Sequence, residues 1–207
     1  MNRPVSQQQA LVDWGVATRP IAGETVSGDL HLVQPFNHGV LLAAIDGLGH
    51  GKEAVAAAKK AVAVLKKHPR EPVVQLIQRC HEALMETRGA VMTVVSLHAS
   101  KGPMTWLGVG NVECRLLHAD PHASHASDSA LLRGGVVGYQ LPTLRPRAIP
   151  VAPGDLLIFA TDGIRAGFAD GLSLGQTPKQ IAIHIMNRHF KGTDDALVLV
   201  ARYRGMP

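Results

Sequence analysis

The distribution of apolar and polar positions along this 207-residue chain predicts a protein built mostly from strands. Two stretches, 39–45 and 156–160, are continuously apolar, which is typical of strands buried on both faces. Other stretches mix apolar and polar positions, as partly buried strands do. We predict strands over residues 11–18, 29–36, 39–45, 90–98, 104–109, 112–118, 131–141, 156–160 and 196–203.

Apolar residues at helical spacing predict helices over 52–67, 72–87 and 178–190. Two helices follow one another and the third stands alone, so helices and strands do not alternate. This order favours an α+β layered fold over a parallel β-α-β fold. We expect one domain over 10–205, preceded by a flexible N-terminus at 1–9.

Composition narrows the class of protein. Aromatic residues are only 4% of the chain and apolar residues 46%, so aliphatic side chains must fill the core. No run of about 18 apolar residues is present, which argues against a membrane-spanning helix. The N-terminus has no apolar segment of a secretory signal, so we expect a cytoplasmic protein. In that compartment Cys80 and Cys114 would be reduced, buried thiols.

Charge is concentrated in the region of the first two helices. The chain carries 21 Lys and Arg against 16 Asp and Glu, a net charge of +5. We interpret the basic residues of 50–88 as solvated helix faces, although such a surface could also bind nucleic acid or an acidic partner. Aromatic residues for base stacking are not interleaved with the lysines, so we expect no nucleic-acid partner.

Aspartates stand at the ends of the most apolar strands. Asp46 and Asp162 each end such a strand and are each followed by glycine, whereas Asp194 and Asp195 begin one. If these strands are antiparallel, the carboxylates meet at one edge of the core, where Asp29 also opens a strand. Gathered carboxylates repel one another unless cations neutralise them, and oxygen ligands suit Mg²⁺ or Mn²⁺. The alternative is that the Asp-Gly pairs are ordinary turns.

Two other sequence features could suggest a nucleotide-binding loop and a zinc site, but neither matches the known pattern. The glycines at 47–51 follow a strand and precede a helix, but they match neither the phosphate-binding P-loop nor the dinucleotide-binding pattern. His118, His122 and His125 lie in or next to a polar stretch at 119–130 without cysteines nearby, so we interpret them as a solvated loop rather than a zinc site.

The ordered aspartate motifs resemble those of the metal-dependent PP2C-type (PPM) protein phosphatases. The resemblance is strongest to the bacterial sporulation and stress-response branch, and within it to the stand-alone RsbX-type phosphatases of the stressosome. It covers about residues 10–204. The segments that carry it are 27–29, 46–51, 88–90, 108–113, 154–163 and 194–195.

The resemblance implies a four-layer αββα sandwich of two antiparallel sheets flanked by helices, with two Mn²⁺ or Mg²⁺ ions at one edge. Roles can be carried over residue by residue. Asp46 would bridge the ions, the Gly47 carbonyl would bind one of them, and Asp162 and Asp194 would hold the other, while Asp29 would be a ligand or an acceptor for a metal-bound water. Asp195 and Asn111 would lie beside the ligands, His50 is a candidate acid, and Arg19 and Arg88 are candidates for phosphate binding.

The same resemblance implies a serine/threonine phosphoprotein phosphatase. A water shared by the two ions would attack the phosphorus directly, without a phosphoenzyme. The substrates would be phosphorylated stressosome scaffold or STAS-domain proteins, and no membrane partner is expected. The alternative is an inactive pseudophosphatase that binds phosphoproteins, but the intact aspartates argue against it.

Overall fold

The computed structural model describes residues 11–99, 102–120 and 125–205. The chain forms ten strands and three helices within these residues. The strands are β1 (Val12–Arg19), β2 (Asp29–Phe36), β3 (Gly39–Gly47), β4 (Ala90–His98), β5 (Met104–Val109), β6 (Glu113–Leu117), β7 (Ser127–Ser129), β8 (Arg147–Ile149), β9 (Leu156–Ala160) and β10 (Ala196–Tyr203). The helices are α1 (Gly51–Lys67), α2 (Val73–Leu84) and α3 (Pro178–His189).

The strands form two five-stranded sheets in which every pair of neighbours is antiparallel. One sheet has the order β1-β10-β9-β6-β7 and the other the order β2-β3-β4-β5-β8. The predicted α+β class and the two antiparallel sheets are therefore confirmed.

The fold has four layers: α1 with α2, the two sheets, and α3. Three apolar clusters fill the spaces between these layers. One lies between the two sheets and includes Leu42, Trp106 and Phe159. A second joins α1 and α2 to the sheet that contains β3. The third joins α3 to the sheet that contains β10. Strands β3 and β10 each contact two clusters, which explains why their sequences are apolar on both faces.

Most of the predicted strands and helices are confirmed, but the prediction of a strand over 131–141 is wrong. This segment forms only isolated bridges, one of them between Ala90 and Val137. Gly138 has a φ of +101° and packs against the backbone of Leu84 at the end of α2. Positive φ interrupts an extended strand, so the glycines of this segment break it.

Two short strands, β7 and β8, were not predicted from the sequence. β8 has only three residues and lies between Pro146 and Pro150, so no periodicity could reveal it. β7 lies inside the stretch predicted as a loop. The flexible N-terminus predicted at 1–9 lies outside the described residues. In the part of the chain described here, no helix is long and apolar enough to cross a membrane.

His118 contradicts the interpretation of a solvated histidine loop. Its side chain is only 16% exposed, and its two ring nitrogens lie 3.1 Å from Asp155 Oδ2 and 3.1 Å from Asp128 Oδ2. The sequence does not reveal this contact, because Asp155, which precedes β9, is distant along the chain. Of the other two histidines, His125 is exposed and His122 lies outside the described residues.

Candidate metal centre

Strand register brings the predicted aspartates to one edge of the two sheets. Asp29 and Asp46 face each other across the β2–β3 pair. Asp162 follows the end of β9, and Asp194 and Asp195 precede β10, which runs antiparallel to β9. Each of these five carboxylates acts electrostatically on at least one other, so the structure gathers them as the sequence predicted.

Asp29 is held by a side chain from the opposite sheet. The Thr161 hydroxyl donates a hydrogen bond of 2.7 Å to Asp29 Oδ2 and accepts one of 2.8 Å from the backbone N–H of Leu197. Both Asp29 and Thr161 are buried. The carboxylate is therefore fixed in orientation, with one oxygen engaged by the hydroxyl.

Asp162 is oriented by the turn between β5 and β6. Asn111 Nδ2 donates a hydrogen bond of 2.8 Å to Asp162 Oδ2, and the ammonium of Lys191 donates one of 2.5 Å to the backbone carbonyl of Asp162. Asn111 therefore lies beside Asp162, the residue predicted to be a ligand. Lys191 was not predicted, because nothing in the sequence links it to the strand that ends at Ala160.

Asp195 ties a loop to the start of β10. Its two carboxylate oxygens accept hydrogen bonds from the backbone N–H groups of Ile21, at 2.8 Å, and Gly28, at 2.6 Å. The neighbouring Asp194 accepts a hydrogen bond of 2.8 Å from the Asp195 N–H with Oδ1. Asp195 thus positions the segment that leads into Asp29.

Gly47 allows α1 to approach the end of β3 closely. A Cβ at this position would lie 2.1 Å from the carbonyl oxygen of Ala54, a distance that no side chain can occupy. Gly28 packs similarly against Ala54, because its Cβ would lie 2.8 Å from the Ala54 Cβ. These contacts explain why glycine follows Asp46.

Burial and mutual repulsion raise the pKa values of the two central carboxyl groups. Desolvation, opposed by the Thr161 hydrogen bond and assisted by the other aspartates, raises the pKa of Asp29 to about 7. Desolvation and the same neighbours raise the pKa of Asp46 to about 8. Bound cations would relieve exactly this penalty, so the donor set suits hard divalent ions.

The carboxylates do not form a closed coordination cage in this conformation. Among residues 11–99, 102–120 and 125–205, no group of three or more His, Cys, Asp or Glu side chains is arranged as a ready metal site. The fit therefore rests on the chemistry and burial of the donors rather than on coordination geometry.

The two candidate arginines lie in different surroundings. Arg88 forms an ion pair with Glu53, and its guanidinium lies against Gly49 in the loop after Asp46. Arg19 instead donates a hydrogen bond of 2.7 Å to Asn187 Oδ1 and stacks over Phe190. Arg88 thus lies beside the loop after Asp46, whereas the backbone of Arg19 pairs with Ala196, directly after Asp195.

His50 lies at the start of α1, where its side chain is 71% exposed. Its Nδ1 is 3.3 Å from Glu24 Oε1. The contact turns the ring toward the 24–26 loop, although the residue is close in sequence to Asp46. Its role as an acid stays a prediction.

Comparisons with known proteins agree with this architecture. A family profile described as stage II sporulation protein E (SpoIIE) matches residues 37–204. The phosphoserine phosphatase RsbX of Bacillus subtilis (strain 168) is 24% identical over 161 residues, which are 77% of this chain and 79% of that protein.

Two solved structures have the same fold as this chain over more than nine tenths of its length. One is a structure described as the bacterial stressosome, a modular system that has been adapted to control secondary messenger signalling. Its chain has a TM-score of 0.83 and 30% identity to this chain, and the match covers 92% of this chain and 99% of the other. RsbX in complex with magnesium has a TM-score of 0.82 and 21% identity, over 93% and 95% of the two chains.

A third solved structure links this fold to the PP2C phosphatases. The PP2C phosphatase domain of SpoIIE from Bacillus subtilis, with a fragment of its regulatory domain, has a TM-score of 0.74 and 20% identity. That match covers 95% of this chain and 64% of the other. The resemblance that the aspartate motifs suggested is confirmed: the chain belongs to the SpoIIE family and has the PP2C-type phosphatase fold.

Proposed function

We propose that this chain removes phosphate from phosphoserine and phosphothreonine of stress-signalling proteins, with two Mn²⁺ or Mg²⁺ ions held by the acidic site. The class of enzyme, a protein serine/threonine phosphatase, follows from the family. The substrates, the number of ions and the site residues belong to the proposal, as does a cytoplasmic location.

The observation that carries the proposal is the convergence of carboxylates from both sheets, of which Asp29 is buried and Asp46, Asp162 and Asp194 are partly buried. Asp29 and Asp46 come from one sheet, and Asp162 and Asp194 come from the ends of strands in the other. A turn aspartate needs no such partner, and repulsion inside the fold is costly without a compensating cation. This argues against the interpretation of the Asp-Gly pairs as simple turns.

Each residue has a definable task in the proposed reaction. When bound, the ions would lower the pKa of a coordinated water and offset charge on the phosphoryl oxygens. Asp46 and the Gly47 carbonyl would hold them from one sheet, and Asp162 and Asp194 from the other. Asp29 would hold an ion or accept a proton from the attacking water.

Three side chains keep this arrangement in place or complete it. Thr161 orients Asp29, and Asn111 orients Asp162. Arg88 stands at the Gly49 loop, where its charge would face the phosphate if its ion pair with Glu53 opens. The stressosome context of the substrates is supported by the similarity to RsbX and to the stressosome chain.

Hydrolysis of an aryl phosphate tests the catalytic part of the proposal. We expect turnover with Mn²⁺ or Mg²⁺, none with EDTA, and loss of turnover in Asp46→Asn with the fold retained. A phosphorylated STAS-domain or scaffold protein then tests the substrate. Tight phosphoprotein binding without turnover under any metal would instead favour the pseudophosphatase.

A further inference from the structure

A groove beside the acidic site is not used by the proposed reaction. It lies between the 24–26 loop and the exposed side of α1 and encloses about 360 Å³. Among the residues that line it are Val26, Lys52, Val55, Ala56 and Lys59.

The helix side of the groove carries a regular pattern. Lys52, Val55, Ala56 and Lys59 are spaced i, i+3, i+4 and i+7, so they lie on one face of α1. At 1.5 Å per residue the two lysines are about 10 Å apart along the axis. An extended peptide covers that distance with about three residues.

The groove carries two lysines against one carboxylate, that of Glu24, and has an apolar centre. Lys52 and Lys59 are exposed, and neither forms an ion pair with the carboxylates of the described chain. Glu24, which lines the groove, contacts His50, and Glu53, next to Lys52, contacts Arg88.

The apolar centre of the groove is open on the loop side. Val26 is 52% exposed, which leaves a branched apolar side chain at the groove wall without a covering group. Val55 and Ala56 face it from the helix.

Buried packing fixes the position of the groove relative to the acidic site. Gly28, two residues after Val26, lies against Ala54 and near Asp195 Oδ2. Ala54 in turn packs on Gly47, next to Asp46. The loop that follows Asp46 leads directly to the groove, because Gly51 and Lys52 line it. A protein chain with a phosphorylated residue at the acidic site would therefore lay its neighbouring residues along the groove.

We infer that this groove binds the substrate segment next to the phosphorylated residue, and selects segments in which acidic side chains flank a small apolar one. The inference rests on the proposed function. Its physical basis is charge complementarity: the clustered aspartates repel an acidic segment, and Lys52 and Lys59 supply the opposite charge where that segment would lie.

Synthetic phosphoserine peptides test the selection. Two acidic peptides each carry two glutamates, three residues apart with a valine between them. The glutamates lie on the N-terminal side of the phosphoserine in one peptide and on the C-terminal side in the other. Each acidic peptide has a matched peptide in which glutamine replaces both glutamates. We expect kcat/KM for one of the acidic peptides to be about fivefold to tenfold higher than for its glutamine match. Equal kcat/KM values for each acidic peptide and its glutamine match would overturn the inference.

Matched variants locate the effect. Lys52→Gln/Lys59→Gln should remove the preference for the acidic peptide and leave aryl phosphate hydrolysis unchanged. Lys60→Gln/Lys66→Gln removes the same charge from exposed positions of the same helix outside the groove and should keep the preference. Loss of the preference in the second variant alone would contradict the assignment to this groove.

Binding separates this inference from the proposed function. Fluorescence anisotropy of the labelled peptides is measured on the Asp46→Asn variant, which needs no turnover. Tighter binding of the acidic peptide, lost on adding Lys52→Gln/Lys59→Gln, supports the groove even if no phosphate is released. Absence of aryl phosphate hydrolysis contradicts only the proposed function, whereas equal anisotropy curves contradict the groove.

Discussion

The Thr161 hydroxyl connects the two sheets at the acidic site by donating a 2.7 Å hydrogen bond to Asp29. The same hydroxyl accepts a hydrogen bond of 2.8 Å from the Leu197 N–H, so it bridges Asp29 and the start of β10. One oxygen of Asp29 is thereby occupied, and the orientation of the other is fixed. Thr161 is a positioning residue that acts through Asp29.

Replacing Thr161 with valine preserves the shape of the side chain and removes the hydroxyl. We expect Thr161→Val to weaken metal-dependent activity about 10-fold to 100-fold, the usual cost of losing a partner of a metal ligand. The metal concentration needed for half-maximal activity should rise. Thr161→Ser should retain most of the activity because it restores the donor. An unchanged metal requirement in Thr161→Val would show that Asp29 does not depend on this bond.

Carboxyl groups with raised pKa values make the metal-free protein less stable as pH rises. With pKa values of about 7 for Asp29 and about 8 for Asp46, the folded state holds protons that the unfolded state has already released near pH 4. The free energy of unfolding in EDTA should therefore fall from about pH 5 to about pH 8.

Two controls isolate that effect. Asp46→Asn should flatten the decline, because an amide does not ionise. Added Mg²⁺ or Mn²⁺ should restore wild-type stability most strongly near pH 8, where cations no longer compete with protons. Thermal melts over this range check both expectations, and a wild-type decline identical to that of Asp46→Asn would contradict the assignment to Asp46.

Asp195 should contribute more to folding than to metal binding. Asp195→Ala leaves the N–H groups of Ile21 and Gly28 without their acceptor, which we expect to lower the free energy of unfolding by about 3 kcal/mol. Urea unfolding measures the loss, and Asp195→Asn should be intermediate because one oxygen remains. Unchanged stability combined with lost metal binding would instead identify Asp195 as a ligand.

His118 should stabilise the protein most at acidic pH. Burial opposes its charge, but hydrogen bonds and attraction from Asp128 and Asp155 outweigh burial and raise its pKa. Its ion pairs are fully formed below the ordinary histidine pKa, and their contribution is lost as pH rises through the raised value. His118→Asn should therefore cost about 1 kcal/mol more at pH 5.5 than at pH 8.5. Equal costs at both pH values would indicate a neutral histidine.

The strands and helices were predictable where burial imposes a period on the sequence. The apolar run before Asp46 and the helical spacing in α2 predicted elements that the structure confirms. The segment over 131–141 was not predictable, because glycine is compatible with both a strand and a break. Its conformation is decided by contact with α2 and β4, which lie far away in sequence.

The sequence by itself determined that Asp29, Asp46, Asp162, Asp194 and Asp195 end or begin strands, which is a local property of the chain. Only the tertiary structure decided their separate tasks. Asp195 is engaged by backbone N–H groups of a distant loop, Asp29 by the hydroxyl of Thr161, and Arg19 by Asn187 of α3. The physical reason is that a hydrogen bond depends on the position of both partners in space, whereas periodicity records only whether each position is buried.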